Sequence, residues 1–191
     1  MDLQKKKKKE LRKHDFSKMK YTSEYVRLIL EDKLVVCESV YKALLRIPEY
    51  LEKFEFKQDK VDNKINFIEI EIAQTKGSFA PLKLALVQKV WLEPVWGFYG
   101  YREQEIVNPE TMEFEKKNVY ARVIHEVPII MGRGNGKTTL GSAIAITGLM
   151  VDNEYGADVQ ILANVKSQSN IAFEAVKTMI GRKGTKLKKL N

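Results

Sequence analysis

The sequence predicts a mixed α/β fold, in which an α-helical N-terminal segment precedes an incomplete sheet. Two observations carry this prediction. Apolar residues recur at helical spacing over residues 22–46. Residues 127–180 then alternate an apolar run, a glycine-rich loop, a helix, a second apolar run and a second helix. Ligands of such sheets bind at the carboxyl ends of the strands, so the glycine-rich loop is the expected site.

The glycine-rich loop at residues 132–136 leads directly into Lys137 and Thr138. Before it, Val123-Ile124 and the segment Val127 to Met131 are apolar and β-branched, which favours a buried strand. Backbone N–H groups of a glycine-rich loop can converge on phosphate oxygens. The lysine would neutralise β- and γ-phosphate charge, and the threonine hydroxyl would bind Mg²⁺. The pattern predicts a nucleotide phosphate-binding loop (P-loop); the alternative is a plain turn.

The loop departs from the general pattern G-x-x-x-x-G-K-[ST] at its first position, where this chain has Met131. The match is therefore the tail of the motif, G-x-G-x-G-K-T. The residues predicted to bind nucleotide here are Gly132, Arg133, Gly134, Asn135, Gly136, Lys137, Thr138 and Thr139.

The N-terminal segment is predicted to be mainly helical. Thr22 or Ser23 can cap a helix that runs to about Arg46. Pro48 then allows either a stop or a fresh helical start. The polar stretch 57–63 predicts a connection.

Two further helices are predicted before the loop. Residues 65–72 fit a helix, although the alternation within them also suits a strand. Leu84 to Trp91 has a helical pattern with Gln88 as its one uncharged polar side chain, and Pro94 and Gly97 are expected to end it.

The segment 99–127 predicts a β-hairpin with its turn at residues 108–111 and a returning strand from Val119 to Val127. The nearby aromatic residues are expected to fill the core. Beyond the loop, the pattern predicts a helix from Thr138 to Val151, a strand from Val159 to Ala163 and a helix from Ser167 to Ile180.

Positive charge is concentrated at the two ends of the chain. Residues 1–20 carry nine Lys/Arg against three Asp/Glu, and residues 177–191 carry six against none. Residues 1–20 are predicted to be a disordered arm, with contact to nucleic-acid phosphates as the functional interpretation.

Cys37 is the only cysteine, so no disulfide or cysteine-based metal site is expected. The sequence shows no signal-peptide pattern and no apolar run long enough to span a bilayer, so neither export nor membrane insertion is expected. A reducing cytoplasm is the expected compartment.

The loop sequence Arg133 to Thr138 resembles the deviant Walker A motif of the large terminase subunits of tailed bacteriophages, the ATP-driven DNA-packaging motors. That motif commonly has a non-glycine residue where this chain has Met131. The segment Leu84 to Trp96, which contains Gln88, resembles the adenine-side element of the family. Tyr25 to Lys53 is similar to its helical lid region.

The resemblance implies a role for individual residues. Gln88 would recognise adenine through its amide; a surface or helix-capping glutamine is the alternative. Arg133 would reach the γ-phosphate as an arginine finger, and the alternative is a structural arginine that holds the loop. Lys137 and Arg133 would be catalytic, and Thr138 would bind the metal ion. The implied domains are an arm (1–20), a lid-like segment (21–75) and the first part of an ATPase domain (76–191).

The resemblance also implies partners and missing parts. A packaging ATPase uses ATP and Mg²⁺, acts on double-stranded DNA in the bacterial host cytoplasm, contacts a small terminase subunit and a portal protein, and can form a homo-oligomer. It also needs carboxylates at a strand end (Walker B) and a nuclease domain. The acids after Thr139 end no apolar strand; they are Asp152, Glu154, Asp158 and Glu174. The chain is therefore expected to be an N-terminal part that is inactive alone. A helicase-like P-loop ATPase and a non-catalytic nucleotide- or DNA-binding fragment are the alternatives.

Overall fold

The computed structural model describes residues 2–75, 80–108, 110–130, 132, 134–152 and 157–181. The chain divides into two compact units. The first unit contains Met1–Val61 and Ala85–Val127, and the second contains Asp62–Leu84 and Pro128–Asn191. The domain limits at residues 20 and 75 stay a prediction.

Helices make up most of both units, and the described residues form one small sheet. The helices are α1 (Asp2–Leu11), α2 (Lys20–Leu30), α3 (Glu38–Lys53), α4 (Gln58–Glu71), α5 (Leu86–Gly97), α6 (Lys137–Val151) and α7 (Lys166–Gly181). The strands are β1 (Glu55–Phe56), β2 (Phe98–Val107) and β3 (Phe114–Arg122).

The prediction of one long helix over residues 22–46 is wrong, because α2 ends at Leu30 and α3 begins at Glu38. The chain turns at Asp32, whose φ of 60° lies in the left-handed region that aspartate tolerates better than most residues. The N–H groups of Lys33 and Leu34 both donate to the carbonyl of Leu28, at 3.0 and 3.2 Å, and this closes the end of α2.

Three further expectations for the helical segment are resolved by the structure. Pro48 lies inside α3, so neither a stop nor a fresh start occurs there. The predicted connection over 57–63 is wrong, since α4 already begins at Gln58. The predicted helix over 65–72 is confirmed as the later part of α4, although it ends at Glu71.

The basic segment 1–20, expected to be disordered, contains helix α1. Leu11 at its end is only 1% exposed, so the helix is anchored by apolar burial. The ammonium group of Lys7 pairs with Glu38 at 3.6 Å, and Lys8 pairs with Asp32. These contacts, rather than helix propensity alone, order a lysine-rich segment that would repel itself as an isolated peptide.

The predicted β-hairpin is confirmed. Strands β2 and β3 pair antiparallel from Tyr99 opposite Arg122 to Val107 opposite Phe114, and β1 adds to the other edge of β2. The returning strand begins and ends earlier than the predicted range Val119 to Val127.

The core of the first unit lies where α5 meets the sheet. Phe98 and Trp96 are 1% and 3% exposed, and the rings of Phe56 and Phe98 lie 5.1 Å apart. A Cβ atom at Gly97 would come within 2.2 Å of the Phe56 ring, so this close approach requires glycine. Core filling is therefore confirmed for Trp96 and Phe98, whereas Tyr101, also expected in the core, is 75% exposed on the hairpin.

The second unit contains the helix pair α6 and α7, which confirms the two helices predicted after the loop. Leu140, Ala143 and Ile146 of α6 are buried, as is Met179 of α7. The Ser142 hydroxyl donates to the carbonyl of Ala172 at 3.2 Å and fixes the two helices in register.

The predicted strands of a parallel sheet are not formed among the described residues. Residues 124–130 and 157–163 lie outside every strand, and Ile130 and Leu162 are 96% and 86% exposed rather than buried. A parallel strand is maintained by hydrogen bonds to a neighbouring strand, and neither segment pairs with one in the described part of the chain. The α/β class fits, but the only sheet described is antiparallel.

Candidate phosphate-binding site

Two glycines of the loop have a left-handed backbone conformation. Gly134 and Gly136 have φ values of 87° and 75°. This left-handed region is accessible to glycine at low cost. A Cβ atom at either position would meet nothing within 4 Å, so the requirement for glycine is conformational rather than steric.

Gly136 is the N-cap of α6, and its carbonyl accepts the first helical hydrogen bond, from the N–H of Leu140 at 2.9 Å. The amides of Lys137, Thr138 and Thr139 precede that bond and have no acceptor within the helix. Helix N-termini also carry partial positive charge. Three backbone donors and this charge therefore favour an anion at the start of α6.

The side chains of the loop supply a cation and a hydroxyl beside these donors. Lys137 and Thr138 are exposed, and Thr139 is half-buried. The Asn135 amide folds back onto the loop, since a Cβ atom at Gly132 would lie 3.1 Å from its Nδ2. The structure thus brings together Gly132 and residues 134–139; Met131 and Arg133 lie outside the described residues.

Gln88 has a structural role at the start of α5. Its Oε1 accepts a hydrogen bond from the backbone N–H of Ala85 at 2.9 Å, and its side chain is half-buried. This is the helix-capping alternative that the sequence left open. Gln88 lies in the first unit, and adenine recognition by its amide stays a prediction.

The three described acidic residues that follow the loop each contact another side chain. Asp152 caps the C-terminus of α6 and pairs with Lys64. Asp158 accepts a hydrogen bond from Gln160 at 3.0 Å, and Glu174 pairs with Lys177 at 2.8 Å. Glu154 lies outside the described residues. No group of three or more His, Cys, Asp or Glu in the described part of the chain is arranged to hold a metal ion.

Sequence reasoning missed two buried charges, Lys64 in α4 and Glu93 in α5, which are 4% and 0% exposed. The signal was available in both helices. Lys64 lies four residues before the buried Ile68, and Glu93 lies three before the buried Trp96, so both share the apolar stripe of their helix. A charged residue in such a stripe indicates a buried ionic or hydrogen-bonded contact.

Glu93 caps the start of α2. Its two carboxylate oxygens accept the N–H groups of Tyr21 at 2.9 Å and Thr22 at 2.6 Å. The predicted capping by Thr22 or Ser23 is therefore wrong, because the helix begins earlier and a carboxylate from another helix fills that role. Burial raises the pKa of Glu93, and the hydrogen bonds to Tyr21 and Thr22 oppose that rise.

Comparison with known proteins identifies two similar sequences. The terminase large subunits of Lactococcus phages p2 and SK1 are each 21% identical to this chain over 159 residues, which are 83% of this chain and 27% of each relative. The resemblance to large terminase subunits is confirmed. The chain spans about a quarter of the length of these relatives. No family model and no solved structure matches it.

Among the described residues, no helix has the length and apolar character needed to cross a bilayer.

Proposed function

We propose that this chain is the ATP-binding part of a phage DNA-packaging motor, a terminase large subunit that couples ATP hydrolysis to movement of double-stranded DNA into a capsid. One observation carries the proposal. Gly134 and Gly136 have positive φ values and lead into α6, so that Lys137 and Thr138 occupy its first turn together with amides that have no acceptor within the helix. This is the arrangement that phosphate-binding loops use.

The residues of the loop fit ATP and Mg²⁺. Lys137 supplies a cation for the β- and γ-phosphates, and the amides of residues 137–139 supply donors for their oxygens. The exposed hydroxyl of Thr138 supplies one of the oxygen ligands that Mg²⁺ requires, while the remaining ligands come from phosphates and water. Bound ATP would supply the phosphoanhydride bond that hydrolysis breaks. Arg133 is proposed to contact the γ-phosphate and Gln88 the adenine.

The activity of the whole protein is proposed from the resemblance. On this proposal, the remainder of a protein as long as the curated relatives provides the carboxylates for hydrolysis. It acts in the bacterial cytoplasm, with a small terminase subunit and a portal protein as partners and a homo-oligomer as the working form.

A calorimetric titration with ATP and Mg²⁺ tests the nucleotide site. Lys137→Ala removes the nearest cation and should abolish measurable binding. Lys166→Ala is the matched control, because Lys166 is also an exposed lysine at the first position of a helix. Equal affinity of the wild type and Lys137→Ala, or an equal loss in both variants, would contradict the proposal.

A non-catalytic nucleotide-binding fragment is the second candidate for the chain in isolation. The observation in its favour is that Asp152, Asp158 and Glu174 are each held by another side chain. A phosphate-release assay beside the titration separates the candidates. Binding without turnover supports the fragment, and turnover by the isolated chain supports a complete catalytic set.

A further inference from the structure

The lysines of helix α1 lie on two faces that differ in solvent exposure. The inward face carries Lys7 and Lys8, whose side chains are 21% and 13% exposed and which pair with Glu38 and Asp32. Lys7 also lies over the ring of Tyr41, 5.6 Å from its centroid. Together with the buried Leu11, these contacts fix which side of α1 faces solvent.

The outward side is a row of exposed cations that we call the basic face: Lys5, Lys6, Lys9, Arg12 and Lys13. None of the five pairs with a carboxylate among the side chains that the structure describes. Lys5 and Lys9 lie four residues apart on α1, and Arg12 follows three residues later in the turn after the helix, where its N–H still donates to the carbonyl of Lys8 at 3.1 Å. This spacing forms one stripe about 10 Å long, at 1.5 Å of rise per residue.

The basic face is unfavourable for the isolated helix. Like charges at i,i+4 destabilise a helix. Anionic groups bound along the stripe would relieve this repulsion. Because lysine ammonium groups are point charges without a fixed planar fork, the face fits phosphates rather than the edges of particular bases.

The surrounding side chains discriminate between polyanions. An interfacial membrane helix needs exposed apolar residues opposite its charges, but Leu11, Phe16 and Met19 are all at most 5% exposed. Single-stranded nucleic acid is bound by exposed aromatic rings together with cations, and residues 5–20 expose no Phe, Tyr or Trp. Duplex DNA presents a dense, rigid row of phosphates, one charge per about 1.7 Å of axis.

We propose that the basic face of α1 binds the phosphate backbone of duplex DNA without reading its sequence. This surface is formed by the charge and packing of α1 and does not involve the nucleotide site. It adds a DNA-contacting surface to the proposed packaging function and can fail independently of it.

The test is the salt dependence of duplex binding by the full chain, measured by fluorescence anisotropy. The variant Lys5→Gln/Lys6→Gln/Lys9→Gln removes three outward charges. Its matched control, Lys33→Gln/Lys42→Gln/Lys53→Gln, makes the same change in net charge at exposed lysines that pair with Glu31, Glu38 and Glu49. The slope of log K against log salt should become shallower by about 2.7 in the first variant and stay unchanged in the control.

Two companion measurements keep the result interpretable. Lys5→Arg/Lys6→Arg/Lys9→Arg retains the charge and should retain the slope, which separates charge from any effect on folding. ATP affinity should be unchanged in all three variants, and the duplex slope should be unchanged by Lys137→Ala.

Several outcomes would overturn the proposal. An unchanged salt slope in Lys5→Gln/Lys6→Gln/Lys9→Gln would show that α1 makes no phosphate contact. An equal change of slope in the control variant would show a response to net charge alone. The face would be assigned to another partner if the chain bound that partner more tightly than duplex DNA and lost this binding in Lys5→Gln/Lys6→Gln/Lys9→Gln; the partners to compare are single-stranded DNA of the same length, phosphatidylserine vesicles and polyglutamate.

Discussion

The buried ammonium group of Lys64 on α4 contacts the carboxylate of Asp152 at the C-terminus of α6. Both residues belong to the second unit, so the pair ties its first helical segment to the helix that begins at the phosphate loop. A cation at a helix C-terminus also complements the helix dipole. Asp152 is therefore a structural carboxylate, which agrees with its position outside any apolar strand in the sequence.

Asp152→Asn should strongly destabilise the second unit, because it leaves the ammonium of Lys64, only 4% exposed, without this carboxylate. Loss of one partner of a buried pair costs about 3–5 kcal/mol. Chemical denaturation measures the loss. The double variant Lys64→Met/Asp152→Asn should recover part of it, and additive losses would show that the two residues do not interact.

Gly136→Ala should weaken ATP binding by roughly 5- to 30-fold. The residue has a φ of 75°, which costs a residue with a Cβ about 1–2 kcal/mol. Gly141→Ala is the matched control within α6: a Cβ there meets nothing within 4 Å. That change should stabilise the helix by about 0.5–1 kcal/mol and leave affinity unchanged. Equal affinities in both variants would exclude a binding role for the loop conformation.

Substitutions of Gln88 separate helix capping from adenine recognition. Gln88→Glu keeps an oxygen acceptor for the N–H of Ala85 but removes the amide donor, whereas Gln88→Ala removes both. If Gln88 reads adenine, both variants lose preference for ATP over GTP, and only Gln88→Ala also loses about 0.5–1.5 kcal/mol of stability. Competition titrations and thermal unfolding give the two readouts. Unchanged preference in Gln88→Glu would leave capping as its role.

The buried carboxylate of Glu93 should make stability fall with rising pH. Its pKa is raised by burial, so the folded state binds more protons than the unfolded state between the ordinary glutamate pKa, about 4.3, and the raised value. The free energy of unfolding should therefore decrease as pH rises through that window. Glu93→Gln should remove this decrease relative to the wild type in denaturant titrations at several pH values. Parallel pH profiles of the two proteins would contradict the raised pKa.

Local patterns in the sequence predicted the elements that depend on local physics. The hairpin followed from its turn at residues 108–111, and α6 and α7 followed from apolar spacing. The glycine-rich loop was recognised from its composition, whereas the positive φ values of Gly134 and Gly136 are known only from the structure. Phosphate binding by this loop was predicted from the motif and its flanking elements and stays a prediction.

Elements that depend on distant partners were predicted poorly. The order of α1 depends on Glu38 and Asp32 in other elements, and the cap of α2 comes from Glu93, about 70 residues away. Residues 159–163 have the apolar pattern of a strand but no strand to pair with among the described residues. A sequence pattern indicates which secondary structure a segment can form, and the neighbouring elements in the fold determine which one it adopts.

The most direct test of the account is a two-dimensional amide NMR titration with a nonhydrolysable ATP analogue and Mg²⁺. Phosphate oxygens that accept the backbone N–H groups of the loop should shift the amide signals of Gly134, Gly136, Lys137, Thr138 and Thr139 most strongly. In Lys137→Ala these shifts should be lost at the same ligand concentration. Shifts confined to other parts of the chain, or equal shifts in the wild type and Lys137→Ala, would contradict the claim that this loop holds the phosphate chain of ATP.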